Sequence, residues 1–323
     1  MSANDVFVVV ALLAICAMFV LANAGEKHAL PRILTFVAGG VLAGALLLIG
    51  LALILIASLM TRPAAGSANP IPLGLSLTIA GALGLLYLSS SVRRLVCRVM
   101  PLAADSPVSF LSVEWALAFL GQQIGTQLSA DVLSAVAAGP PLTNVAILAQ
   151  DVPLFILAFV GVGLFTRRSL RDCLDRLGLR PPTPRWWLVA LAGIVVFLVV
   201  AGQIERIANV LTPGTMKRVT DVNNALFRQF NNPGSIVFLG LVAGVAEEVL
   251  FRGAMQPRFG LIPTALLFAA VHTQYGITFA SLEVFVLGLG LGWMRWKSKS
   301  TLPGMVTHAG YDIAAGLISY WVH

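Results

Sequence analysis

VAEEVLFRG, residues Val245–Gly253, closes an apolar run that begins at Ile236. Two adjacent carboxylates, Glu247 and Glu248, and the guanidinium of Arg252 sit inside what otherwise reads as a membrane-spanning helix. A charge near the centre of a bilayer costs roughly 2.5–3.5 kcal/mol on insertion scales. A chain that keeps three charges there has a use for them. The rest of the sequence reads as the scaffold that holds this stretch and supplies its partners.

Composition sets the class. The 323 residues are 58% hydrophobic and 11% charged, with a mean hydropathy of +0.89, whereas a soluble globular chain carries about 25% charged residues. The expected fold is all-α, a polytopic membrane helix bundle of about 8–10 transmembrane segments at about 20 residues each. The net charge of +7 is not a nucleic-acid signal, because basic residues of membrane proteins gather in cytoplasmic loops. The expected partners are the lipid bilayer and a peptide or protein substrate. Cys16, Cys97 and Cys173 have no CxxC spacing, which argues against a disulfide framework or a zinc cluster of cysteines. No basic residue precedes the first apolar run, so it resembles a first span rather than a cleaved signal peptide.

Apolar runs at Val6–Ala24, Ile33–Leu59 and Leu73–Ser91 read as three spans, with a Pro/Gly-rich loop from Thr61 to Pro72 between the second and third. Ser109–Leu128 is ambiguous: it carries Glu114, Gln122, Gln123 and Gln127, and reads either as a span with a polar face or as an interfacial helix. Val145–Thr166 is a clearer span, with Asp151 and Pro153 near its outer end. A basic loop, RRSLRDCLDRLGLRPPTPRWW, leads to Trp186 and Trp187, interfacial residues that open a span to about Gly202. Gln203–Pro233 is a polar connection or surface helix. Four apolar segments follow: Ile236–Phe251, Ile262–His272, Ile277–Met294 and Leu302–Trp321. Counting Ser109–Leu128 as a span gives ten segments, with fifteen Lys and Arg inside, five outside (Arg62 among them) and Arg252 at the membrane edge. That bias has the sign expected of cytoplasmic loops.

Four carboxylates (Glu247, Glu248, Glu283 and Asp312) and two histidines (His272 and His308) lie in those last four segments. At 1.5 Å of rise per residue, Glu247 sits about 8–10 Å from the inner end of its helix, His308 about 10 Å and His272 about 15 Å along theirs. These three meet at compatible depth, and Glu283 lies nearer the outer end. Glu248 and Arg252 are spaced i, i+4 and so share a helix face and pair. Glu247, about 100° round the helix, is freer to act as a base. Asp312, four residues after His308, is placed to orient the imidazole or raise its basicity. Two acids and two histidines in a partly dry pocket suit activation of water. Bland readings stand beside this one. A Glu–Arg pair is often only a lock between helices, and a single membrane histidine is often only a buried hydrogen-bonding residue. The Gly288, Gly290, Gly292 series reads as close helix packing, and the basic loop as an anchor.

The ordered set E247-E-V-L-F-R252, F268-A-A-V-H272 and H308-A-G-Y-D312 resembles the CPBP family of intramembrane proteases, the Abi or Rce1-type CAAX prenyl endopeptidases. Their pattern is EExxxR, FxxxH and HxxxN or HxxxD. The resemblance covers Ile236 to the last residues. It implies a helical membrane core open toward the cytoplasm. It also implies that Glu247 activates water with help from His272, that His308 and Asp312 form an oxyanion site, and that Glu248 and Arg252 order the helix. Asn is the commoner last residue in eukaryotic members. An ionised Asp312 repels an oxyanion, so this acid must be protonated, orient His308 or bind a cation. No HExxH is present, yet Glu248, His272, His308 and Asp312 are residue types that ligate zinc. A cofactor-free glutamate mechanism is favoured, and a divalent metal such as zinc stays open.

The expected organisation is an N-terminal helical region over 1–140, helices and a basic loop over 141–235, and a catalytic core over 236–323. The expected function is an intramembrane endopeptidase of a bacterial plasma membrane, cutting near the cytoplasmic face, with a substrate that need not be prenylated. Two other readings stay open: a non-catalytic scaffold or immunity protein, and a proton-coupled transporter using the same carboxylates.

Overall fold

The computed structural model describes residues 3–59 and 69–322, and among them no β-sheet forms. The chain divides into two compact units, one of Met1–Ala130 with Phe159–Cys173 and one of Asp131–Ala158 with Leu174–His323. Five helical stretches among the described residues are long and apolar enough to cross a membrane: 29–59, 70–87, 144–162, 185–211 and 233–259. The chain is an integral membrane protein. Residues 61–68 of the expected Pro/Gly-rich loop, Arg62 included, lie outside the described residues.

The first unit contains helices α1 (Ala3–Gly25), α2 (Ala29–Leu59), α3 (Pro70–Tyr87), α4 (Ser90–Val96) and α5 (Pro107–Ser129). Two of the helix starts follow from their sequence. Asn69 accepts from the Ile71 amide at 3.1 Å with Pro70 next, and Ser106 accepts from the Ser109 amide at 3.1 Å with Pro107 next. A polar cap followed by proline satisfies an orphan amide and fixes the first helical φ. The stretch at Ser109–Leu128 lies within one helix, and that helix is not among the five long, apolar ones.

Packing in this unit is inverted relative to a soluble protein. On α2 the buried residues are Thr35, Gly39, Ala43 and Gly50, while Leu48, Leu55 and Leu59 face outward. Lipid is as apolar as leucine, so large side chains gain little by turning inward. Close backbone approach through small residues holds the helices instead. A Cβ on Gly81 of α3 would lie 2.4 Å from the Leu47 amide nitrogen and 2.5 Å from the Ala43 carbonyl, and one on Gly74 would lie 2.8 Å from the Gly50 carbonyl. Gly84 makes room for the buried Glu114 carboxylate. The α3 carboxyl end is capped by Arg93, which donates to the Leu88 carbonyl at 2.5 Å and the Tyr87 carbonyl at 3.2 Å while lying over the Phe36 ring at 4.8 Å.

The second unit contains α6 (Val132–Ala137), most of α7 (Asn144–Val162) and the end of α8 (Leu170–Arg176), followed by α9 (Arg185–Leu211), α10 (Pro213–Phe227) and α11 (Pro233–Glu248). A π-helical turn, Val249–Met255, then leads to α12 (Gln256–Phe259), α13 (Leu261–Val271), α14 (Phe279–Ser298) and α15 (Leu302–Val322). Helix α9 runs nine residues beyond the expected end at Gly202, because nothing breaks it until Thr212 and Pro213. The surface helix α10 buries Met216, Val219 and Val222 against Leu133 of α6 and Ala280 of α14. Asp131 caps α6 and pairs with Arg218. Hydrogen bonds from the Ser134 hydroxyl and amide, and then from Arg218, hold the Asp131 carboxyl below the usual range.

If backbone contact through glycine holds the first unit, bulk at the seam must be costly. Gly81→Leu should lower stability by at least about 1–3 kcal/mol, read as a fall in the detergent melting temperature. Gly44→Ala, with nothing within 4 Å of the added carbon, should leave it unchanged or raise it, since alanine is the better helix former. Equal melting temperatures for the two variants would remove the seam from the account.

Candidate functional site

Helices α11 and α15 approach through glycine. A Cβ on Gly244 would lie 2.8 Å from the Ala309 amide nitrogen, and one on Gly240 would lie 3.0 Å from the Ala309 carbonyl. This approach carries the adjacent pair Glu247 and Glu248 to His308. The Glu248 carboxylate occupies the space that a side chain at Gly304 would fill, since a Cβ there would lie 2.8 Å from its Oε2.

Glu248 and Arg252 are 0% and 1% exposed and bond at 2.6 Å. The Arg252 guanidinium also donates to the Gly288 carbonyl at 3.3 Å and lies 4.0 Å above the Phe268 ring. A carboxylate, a carbonyl and an aromatic face thus replace the water this cation has lost. His308 Nδ1–H donates to Glu248 Oε1 at 3.1 Å. Its Nε2 faces Asp312 Oδ2 at 3.5 Å and Glu247 Oε2 at 4.0 Å. His272 Nε2 also lies 4.0 Å from Glu247 Oε2, and its Nδ1 bonds the Phe268 carbonyl at 2.8 Å. A carbonyl only accepts, so Nδ1 carries a hydrogen and Nε2 is turned to Glu247. Phe268 is the hub of these contacts: its ring meets Phe251 at 5.2 Å, His272 at 4.9 Å and the edge of His308 at 5.7 Å.

All six expected residues therefore lie in one cluster: Glu247, Glu248, Arg252 and His308 are buried, and His272 and Asp312 are half-buried. Glu283 is outside it and accepts from the Tyr311 hydroxyl at 2.9 Å. The glycine series divides its work. Gly288 and Gly292 offer carbonyls to Arg252 and Gln256 (2.7 Å for the latter), while Gly290 faces Phe197.

The expected helix through the first motif is not α-helical to its end. From Val249 the ladder widens to π-helical, a local form frequent at functional sites. Three guanidinium groups take up carbonyls along this turn. Arg295 donates to Arg252 O at 3.2 Å, Arg176 to Gly253 O at 3.1 Å and Arg258 to Ala254 O at 3.3 Å. Gly253 also lets the turn approach the Leu177 carbonyl, to which a Cβ would come within 3.0 Å. The loop carrying Arg176 is fixed in turn by Thr301, which donates to Leu177 O at 2.5 Å and Gly178 O at 2.8 Å. The basic loop does more than anchor the chain: it supplies a guanidinium to the turn that holds Glu248 and Arg252.

Among the described residues no three His, Cys, Asp or Glu side chains are grouped to hold a metal ion. Glu248 Oε1 is taken up by Arg252 and His308, and the two nitrogens of His308 turn to different carboxylates. The donor set suggested by sequence does not converge as tetrahedral zinc requires.

A family model described as type II CAAX prenyl endopeptidase Rce1-like matches residues 229–314. The chain is also 32% identical over 158 residues to the uncharacterized protein YpbD of Bacillus subtilis (strain 168), an alignment that covers 48% of this chain and 79% of that one. The chain belongs to the Rce1-like family. No solved structure matches it.

In this Rce1-like chain the matched span includes all six clustered residues, but Arg176 and the Leu177 carbonyl lie before it. So does Asp151 of α7, a buried carboxylate that interacts electrostatically with Glu247, His308 and Asp312. Its sequence signal was an acid inside an apolar span; no spacing connected it to the later motifs.

The Arg252 contacts carry a testable cost. Removing one partner of a buried ion pair costs about 3–5 kcal/mol. Arg252→Met should destabilise the purified protein by that amount in denaturant unfolding. A loss below about 1 kcal/mol, the worth of an exposed pair, would mean that Glu248 finds another cation.

Proposed function

We propose that the chain is an intramembrane endopeptidase that hydrolyses peptide bonds of membrane-associated peptides or proteins, prenylated or not. Membership in a CAAX endopeptidase family supports the class. One observation carries the mechanism: Glu247 Oε2 stands 4.0 Å from Nε2 of both His272 and His308, a gap that one water bridges with ordinary hydrogen bonds.

In this reading Glu247 takes a proton from that water as its oxygen attacks the scissile carbonyl. His272, with Nδ1 held by Phe268, keeps Nε2 as an acceptor that orients the water. The His308 Nε2–H is held only loosely by Asp312 at 3.5 Å, so it is free to turn to the developing oxyanion. Asp312 acts through the imidazole rather than on the oxyanion. Collapse of the tetrahedral intermediate breaks the C–N bond, and the proton on Glu247 passes to the leaving amine. Glu248 and Arg252 keep the catalytic pair in register. No step needs a metal. The Lys and Arg bias and a relative from a bacterium support a plasma-membrane protein with its site toward the cytoplasm.

The test is cleavage of peptides by the purified wild type and Glu247→Gln, read by mass spectrometry with and without a chelator. Glu247→Gln should lose about 10²–10⁴ of the rate, the worth of a general base, while keeping its expression and melting temperature. The wild-type rate should be unchanged by the chelator. Equal cleavage by both proteins would take Glu247 out of the mechanism. A chelator-sensitive rate would replace the glutamate scheme with a metal one.

A further inference from the structure

On helix α7 Ile147, Asp151 and Ala158 are buried, as are Phe159 and Val162 at its end, while Val152, Phe155 and Ile156 are exposed. Asp151 is the acid among these buried residues. It is 3% exposed, and its Oδ1 is buried without a hydrogen-bond partner. Elsewhere in the cluster most polar groups are matched from within. Glu248 Oε1 meets Arg252 and His308, His308 Nε2 faces Asp312, and His272 Nδ1 bonds Phe268 O. Two acceptors there have no partner: Glu247 Oε2, assigned to water above, and Glu248 Oε2, which is shut in against Gly304. Asp151, whose charge acts on Glu247, His308 and Asp312, is an unpartnered acceptor on a different helix with no role in the water step. Buried acceptors are matched in the great majority of native structures, and one left open beside a reactive cluster is suited to a donor that arrives with the ligand.

We propose that Asp151 is a substrate-positioning residue: its Oδ1 accepts a hydrogen bond from a main-chain N–H of the bound peptide, so that α7 forms a wall of the substrate site. The inference rests on the peptidase reading. It extends the site to a residue far outside the matched motifs, and the role requires an acceptor atom rather than a negative charge.

The full chain in lipid nanodiscs decides it. A random decapeptide library is offered to wild type, Asp151→Asn and Asp151→Leu, and the peptide cleaved fastest by wild type gives KM and kcat. Asp151→Asn keeps a carbonyl acceptor and should hold KM near wild type. Asp151→Leu, of similar size with no acceptor, should raise KM about tenfold or more, about 1.4 kcal/mol of binding, with a smaller change in kcat. Its melting temperature should equal or exceed that of wild type, since an unmatched polar group has been removed. A purely structural acid would show the reverse: a lower melting temperature and an unchanged KM. The same library is also captured on Glu247→Gln and on Glu247→Gln with Asp151→Leu, with bound peptides read by mass spectrometry. Capture by the first and its loss from the second supports Asp151 even if wild type cleaves nothing, in which case the peptidase reading fails alone. Equal capture by both, capture by neither, an unchanged KM in Asp151→Leu, or equal damage in Asp151→Asn and Asp151→Leu overturns the proposal.

Discussion

A guanidinium cut off from water must be given every partner by the protein around it, and Arg252 is that group here. Its charge meets Glu248 at 2.6 Å, a carbonyl of α14 at 3.3 Å and the face of Phe268 at 4.0 Å. Each contact constrains a different element. Glu248 fixes the end of α11, Gly288 must lack a side chain so that α14 can offer its carbonyl, and Phe268 must sit above the cation. Phe268 then sets His272 through its backbone carbonyl, and Glu248 sets His308 through Nδ1. One buried ion pair thereby positions both imidazoles around Glu247 without touching Glu247 itself. Such a pair is weak evidence for stability, because desolvation offsets much of the attraction. Its contribution here is to specify geometry.

The π-helical turn follows from the same demand. An α-helix gives its own amides to its own carbonyls and leaves little for outside donors. The widened ladder between Val249 and Met255 ends at Pro257, which has no N–H to return to it, and an uncompensated carbonyl in a membrane core costs several kcal/mol. Arginines on α8, α12 and α14 offset that cost by donating to residues 252, 253 and 254.

What the sequence made legible is what obeys local spacing. Glu248 with Arg252 and His308 with Asp312 are i, i+4 pairs, and the structure has both. Helix rise alone put Glu247, His272 and His308 at a common depth and set Glu283 apart. The π turn was only partly legible. Pro257, which has no N–H to return to the carbonyl of Arg252 or Gly253, is a local signal beside it, while Arg176, Arg295 and the Leu177 carbonyl, which complete it, come from elsewhere in the chain. Helix α9 outruns its apolar run: Gln203 and Glu205 read as a polar connection or surface helix, but a helix stops at a breaker, and the first is Pro213. Asp151 was visible as an acid in an apolar span, yet no periodicity tells which helix its face will meet.

The matched span 229–314 is not a self-sufficient site. Thr307, one residue before His308, donates to the Ala190 carbonyl of α9 at 3.0 Å, and Gly193 gives it room, since a Cβ there would meet Thr307 Cγ2 at 3.0 Å. Gly310 accommodates Ile194, which a Cβ would approach to 2.3 Å. Helix α15 therefore carries His308 at a height set by α9, and the π turn carries Glu248 and Arg252 at a position set by Arg176 and Leu177. Remove the residues before 229, and the Gly253 carbonyl loses its donor and Thr307 loses an acceptor, both inside a membrane where water cannot replace them. The motif-free helices α8 and α9 are thus part of the cluster's geometry by backbone contact. The family match spans the clustered residues, while the distances between them are held from outside it.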